Sequence, residues 1–240
     1  MDRDAGFKAL RIENPLECRI VSRINRFALR VRLGRSYRRA CLNNTGRLYQ
    51  FLVKGREGFC LRNEKVGKTT HRLFSVKEGE LGAIVDTRLQ MQAFEKSVER
   101  GVIPWLKGYR IVKRNARLGS SLIDYLLECD SRSVYLEVKS AVLREGNYAM
   151  YPDSPSPRGR RHVKELINHV MRSGEAIILF IAALPGVTAF KPDRAADPKL
   201  CQLLSEARLV GVKIKAIGMA YHPGDSSVHL FDSDLNVDLL

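Results

Sequence analysis

The 240-residue sequence has no CxxC pair: its five cysteines, Cys18, Cys41, Cys60, Cys129 and Cys201, are scattered and odd in number. Zinc ribbons and paired-thiol redox motifs are therefore excluded, as is a full disulfide framework, although a single bridge stays open. Long hydrophobic runs are missing as well. The longest, AIILFIAALP over 176–185, is about half a membrane span and reads as a buried strand. The opening MDRDAGFKAL lacks the apolar core of a signal peptide, so the expectation is a cytoplasmic chain with no membrane partner. Internal repeats and low-complexity tracts are absent. Acidic residues are in deficit, 26 against 41 Lys and Arg, for a net charge of +15.

That deficit is uneven. Residues 1–82 carry 19 basic and 8 acidic side chains, whereas 83–240 carry 22 and 18. Arginine dominates the first third (Arg26, Arg30, Arg32, Arg35, Arg38, Arg39, Arg47), and its planar fork suits phosphate. The alternative is a solubilising surface or a structural-RNA habit of a thermophile, but confinement of the excess to one segment favours a nucleic-acid partner.

With 45% hydrophobic and 28% charged residues the chain is ordinary globular material, enough for one large or two modest domains. Over 16–78, short alternating runs (LECRIVSRI, RFALRVRL, LYQFLV) are punctuated by LGRS, NNTG, KGREG and VGKT, which predicts a small OB-like barrel. The texture changes near residue 83. Met91, Phe94, Val98 and Val102 then fall within about 80° of one another on a helix. Strands are predicted over 109–117, 121–128 and 133–140, and a proline-rich loop over 151–159. A helix over 160–172, a strand over 176–184, a helix over 198–209 and a strand over 213–221 follow, with a loop-like tail from His222. The expected architecture is α/β with a small all-β domain: an N-terminal barrel over 1–82 and a mixed αβββαβ sheet over 83–240.

The stretch DYLLECDSRSVYLEVKS, 124–140, places a carboxylate in each of two apolar runs joined by polar residues. Read as a hairpin, it has its midpoint between Asp130 and Ser131, so Asp124 and Glu137 fall opposite each other with Cβ atoms roughly 5 Å apart. Lys139 shares the face of Glu137. Two like charges in register, flanked by Leu122 and Leu126, are costly unless a cation lies between them. Mg²⁺ or Mn²⁺, with its preference for carboxylate, water and phosphate oxygens, resolves the conflict, and Lys139 is placed to orient a water or offset phosphate charge. Glu-x-Lys alone is a weak signal, and a one-residue slip would undo the pairing.

On the helix after the proline-rich loop, Val163, Leu166, Ile167 and Val170 form the buried stripe, with Arg158, His162, Glu165 and His169 on the other side. His162 and Glu165 could ligate a metal or form an ordinary i,i+3 pair, and the preferred reading has both facing the cleft. Arg158, Arg160 and Arg161 crowd its N-terminus, where cations oppose the helix dipole unless an anion binds. Glu95 flanks the first helix's apolar stripe, where an ion-pair or surface role is the usual one.

Asp, a twelve-residue spacer and Glu-x-Lys within αβββαβ order resemble the PD-(D/E)XK nuclease superfamily. RINRF and NNTGRL, SSLIDYLL, YLEVKSAVL and YPDSPSPRGRRHVKEL resemble the sugar fermentation stimulation protein A family over about residues 20–220. That family joins an OB-like domain to a restriction-endonuclease-like domain and is associated with DNA binding. The resemblance implies Asp124, Glu137 and Lys139 as catalytic set, Asp124, Glu137 and Glu95 as metal ligands, and a magnesium-dependent phosphodiesterase. Arg158, Arg160, Arg161, His162, Glu165 and Arg47 are the expected substrate-binding residues, DNA is expected over RNA, and a homodimer is left open. The rival readings are a non-catalytic DNA-binding regulator of sugar metabolism on a nuclease scaffold, and an oligosaccharide or small-anion binder.

Overall fold

The computed structural model describes residues 6–64, 67–130 and 132–239. The first five residues of the MDRDAGFKAL stretch, Val66 of VGKT and the expected turn residue Ser131 lie outside the described residues.

In chain order the elements begin with β1 (Phe7–Arg11), β2 (Leu16–Asn25), β3 (Ala28–Leu33), β4 (Ser36–Cys41), β5 (Glu57–Arg62), β6 (His71–Glu78) and β7 (Leu81–Ile84). Strands β2–β6 form a closed five-stranded barrel, ordered β4-β3-β2-β5-β6, with β4 pairing β6 to close it. Strand β3 and the first half of β2 have the two-residue period of a half-buried sheet. In β3, Leu29 and Val31 are buried while Arg30 and Arg32 face out, which is how a fold with an apolar interior comes to wear arginine. Gly34 supplies the left-handed φ of +55° in the two-residue turn from β3 to β4.

Beyond the barrel lie α1 (Thr87–Glu99), β8 (Arg110–Leu118), β9 (Ser121–Cys129), β10 (Arg132–Ala141), β11 (Leu143–Glu145), β12 (Tyr148–Tyr151) and α2 (Pro157–Val170). They are followed by β13 (Glu175–Ala182), β14 (Ala189–Pro192), α3 (Pro198–Leu209), β15 (Lys213–His222), β16 (Ser227–Asp232) and β17 (Asn236–Val237). Strand β7 pairs both β6 and β15, so the barrel wall runs directly into a mixed sheet ordered β15-β13-β10-β9-β8. Rings of Phe59 and Phe74 meet Tyr221 edge-on at 5.0 and 4.9 Å and fill the seam. Gly82, opposite Tyr221, has no room for a side chain beside Ser75 and that ring.

Helices cover both faces of this sheet. Helix α1 packs Phe94 on Tyr125, ring centroids 5.7 Å apart. Helix α2 lies on the other face, with His169 edge-on to Tyr135 at 5.0 Å, and α3 packs beside it. Helix α2 begins at Pro157, three residues before the position predicted from the sequence. Ser156 caps it by accepting the Gly159 N–H at 3.1 Å, and proline is favourable at the first helical position.

The tail departs from expectation. Instead of a loop after His222, β16 pairs with β15 and with β1, so residues 7–11 join the second layer rather than the barrel. Val228 and Leu230 are buried, and a left-handed Ser226 closes the turn before them. The short strands β11, β12, β14 and β17 form a separate small sheet whose two- to four-residue runs give no readable period. All five cysteines are free, Cys18 and Cys60 lying with sulfurs 3.2 Å apart inside the barrel. Among the described residues no helix is long and apolar enough to cross a membrane.

Candidate active site

Strands β9 and β10 pair from Arg132↔Cys129 to Leu136↔Tyr125, one step short of Glu137 and Asp124. There the ladder stops. The Val138 N–H donates to Asp124 Oδ2 at 2.8 Å, and the Asp124 N–H points at Glu137 Oε2 at 3.4 Å. On its other side β10 stays paired with β13 as far as Ala141. The two strands thus part company at the carboxylates, and side-chain oxygens take over backbone hydrogen bonding.

Glu137 is buried, 1% exposed. Its Oε1 accepts from the Lys139 ammonium and from His162 Nδ1, the latter at 2.5 Å. Arg158 Nε is directed at His162 Nε2 at 3.3 Å, which leaves Nδ1 as the protonated nitrogen facing Glu137. Burial alone would raise Glu137, but Lys139 and His162 outweigh it and hold its carboxyl below the usual range. Burial would likewise lower Lys139, but Glu137, Tyr151 and Asp124 keep its ammonium raised and charged. Asp124 is pushed up to about 6 by burial and by the charge of Glu137, against the opposing pull of Lys139, the Val138 N–H and His162. One of the two carboxyls therefore resists ionisation: positive charge is in short supply here. A divalent cation fits that deficit, and Asp124 and Glu137 are the residues that would hold it. Among the described residues no three His, Cys, Asp or Glu side chains gather as a metal-holding group, so water or substrate oxygens would complete the shell.

The carboxylates line a cavity of about 690 Å³ walled by Arg26 and the 43–46 segment of the barrel, the start of α1, and the loop over 152–158. Asp86 builds this junction. It caps α1 through Arg88 and Leu89 N–H at 2.9 and 3.2 Å, accepts from Asn43 Nδ2 at 3.0 Å, and pairs with Arg72 at 2.9 Å. Asp153 Oδ2 accepts the Leu48 N–H at 2.7 Å, and Asp197 accepts the Ser156 N–H at 2.8 Å. A larger cavity, about 750 Å³, lies between the barrel and the 222–225 turn. Its Glu57 is already paired with Arg19 and Lys77, at 2.5 and 3.6 Å.

The sequence-predicted residues divide accordingly. Asp124, Glu137, Lys139, His162 and Arg158 come together. Glu95 does not. Arg114 takes both its oxygens at 2.7 and 2.8 Å, and the Tyr125 hydroxyl donates to it at 2.8 Å. Tyr125 projects to the face opposite Asp124, so Glu95 is an ion-pair residue on the wrong side of the sheet for a shared metal. Arg160 turns away to the buried Asp197 at 2.8 Å. Glu165 accepts from Ser120 N–H and Oγ at 3.0 and 2.8 Å and braces the β8–β9 turn. Arg161 and Arg47 are exposed outside the cavity lining, and Arg26 occupies the place expected of Arg47. Asp86 and Asp197 were missed as organising residues. Asp197-Pro198 and Asp86-Thr87 carry readable helix-start signals, but their burial and their partners 37 to 43 residues away do not show in sequence.

The description "sugar fermentation stimulation protein RE domain" matches residues 88–225, and "SfsA N-terminal OB domain" matches residues 21–85. The chain is 45% identical to the sugar fermentation stimulation protein homolog of Pyrococcus furiosus, covering 97% of this chain and 100% of that one. It is 40% identical to the homolog of Archaeoglobus fulgidus over 96% and 99%. It also superimposes on a structure of Pyrococcus furiosus SfsA in complex with Ca²⁺ with TM-score 0.93 and 44% identity, covering 97% and 99%.

Proposed function

Because the chain belongs to the sugar fermentation stimulation protein family, we propose that it is a cytoplasmic nucleic-acid-binding protein, for DNA rather than RNA, with a magnesium- or manganese-dependent phosphodiesterase centre. The observation that carries this reading is the Asp124–Glu137 pair with Lys139 at the splayed end of β9 and β10, inside a cleft walled by an arginine-rich barrel. The relative in complex with Ca²⁺ supports a divalent cation here.

When bound, such a cation supplies Lewis-acid activation of water and compensation of phosphate charge. The chain's own groups do the rest. His162 and Lys139 hold Glu137 ionised and fixed in position. The Val138 N–H orients Asp124. Lys139 stays cationic where charge accumulates on a phosphate in flight. Arg26 and Arg158 offer their guanidinium groups to the backbone on either side of the cleft.

A second reading, a regulator that binds without cutting, is favoured by one fact: Glu137 Oε1 is already engaged by Lys139 and His162. Incubating labelled DNA and RNA with Mg²⁺ or Mn²⁺, with EDTA and Glu137→Ala as controls, separates the two. The enzyme reading expects cleavage that disappears in both controls, with affinity falling steeply as salt rises. Wild-type binding without any cleavage leaves the regulator. Affinity indifferent to salt leaves a small-anion or sugar binder.

A further inference from the structure

The cleft is bridged. The barrel segment 43–48 is fastened at its start to the α1 junction, where Asn43 Nδ2 donates to Asp86 at 3.0 Å and Thr87 Oγ1 donates to the Asn43 carbonyl at 3.1 Å. At its end the Leu48 N–H donates to Asp153 at 2.7 Å, and Gly46 presses so closely on that carboxylate that no Cβ fits. Both anchorages line the cavity that holds Asp124 and Glu137. The anchored segment and the two carboxylates thus line one space. That space measures about 690 Å³, within the range of small-molecule sites, about 300–1,000 Å³.

The strap also carries an aromatic approach. Arg23 donates to the carbonyls of Asn25 and Arg26 at 3.1 and 3.3 Å, and to those of Gly46 at 2.7 Å and of Arg47. One guanidinium therefore holds the β2–β3 turn beside the strap. The turn exposes Phe27 at 56%, although phenylalanine is ordinarily buried, and Tyr49, the residue after the strap, is 57% exposed. Arg26 lies 5.9 Å from the Phe27 centroid and also lines the cavity. Rings interleaved with cations fit bases that have left the duplex: each base offers a face to stack on and each phosphate a charge to meet.

We propose that the cleft takes single-stranded nucleic acid, whose bases stack on Phe27 and Tyr49 as its backbone passes under the strap to Asp124 and Glu137, and that intact duplex is refused until an end frays. This rests on the nucleic-acid reading above and narrows it to a substrate class.

The test is fluorescence anisotropy in EDTA, which prevents cutting, with labelled oligothymidine and a blunt duplex of equal length. Wild type and Phe27→Ala/Tyr49→Ala are compared across a salt series. The expected result is that wild type binds the strand at least about tenfold tighter than the duplex. The double variant loses roughly tenfold or more on the strand alone, with an unchanged salt slope because no cation has been removed. Equal or tighter binding of duplex by wild type overturns the proposal, whatever the variant does. So does a variant that melts like wild type and binds the strand equally well. If neither nucleic acid binds, the nucleic-acid reading falls with it; if both bind equally, only the single-strand inference is lost.

Discussion

The Val138 N–H donates to the carboxylate of Asp124 at 2.8 Å, at the point where the β9–β10 ladder gives out. A backbone donor that would otherwise face a neighbouring carbonyl is satisfied by a side chain, so the strands can separate without leaving it unpaired. The separation opens the sheet beside Glu137 while β13 holds the other edge of β10 rigid. A buried carboxylate, a fixed ammonium and an oxygen-lined gap are the result, and keeping Asp124 ionised there costs stability.

Asp124 titrates near 6 in the fold, against 3.8 ordinarily, so the folded chain holds a proton that the unfolded chain has released. The stabilisation this gives is present at and below pH 4 and is lost as pH rises through 6, up to about 3 kcal/mol in all. Asp124→Asn keeps an acceptor for Val138 and escapes the loss. In EDTA, thermal melts should show the variant gaining on wild type between pH 4 and pH 7 and holding its lead above. Parallel curves would show that burial does not strain this carboxyl. Cleavage by wild type should weaken as pH falls below 6, because a proton then competes with the metal.

Much of this was legible in the sequence, for physical reasons. Hairpin partners keep a constant sum of residue numbers, so the Asp124–Glu137 register could be computed, and the period of two in ALRVRL placed arginine outside the barrel. Glu95 illustrates where that kind of inference ends. Its helix position was read correctly, but the sheet face it reaches depends on Arg114 and Tyr125, which only the packed fold supplies. The tail strand β16 was hidden because its partners are β1, at the other end of the chain, and β15.

Arg160 and Arg161 are neighbours with different roles. Arg160, paired with the buried Asp197, holds the start of α2 to the cap of α3, so Arg160→Ala should cost roughly 3 kcal/mol of stability by leaving that carboxylate short of a partner. Its effect on the salt dependence of binding should be slight. Arg161→Ala should leave the melting temperature alone and lower the slope of log affinity against log salt by about 1 if Arg161 meets a phosphate. Denaturant melts and salt-series binding of the two variants check both halves.

Glu95→Gln tests whether the first helix contributes to metal binding. Arg114 holds the Glu95 carboxyl below its usual range, so the pair stabilises the fold at neutral pH and is lost only as pH falls through that depressed value. Arg114 is 62% exposed, which limits the cost of the substitution to about 1 kcal/mol, while glutamine can still accept from the Tyr125 hydroxyl. Since Tyr125 and Asp124 point to opposite faces, the Mg²⁺ concentration giving half-maximal cleavage should not move in Glu95→Gln, whereas it should rise sharply in Asp124→Asn. If the two variants shift the metal requirement alike, Glu95 belongs with Asp124 in holding the metal and the face assignment is wrong.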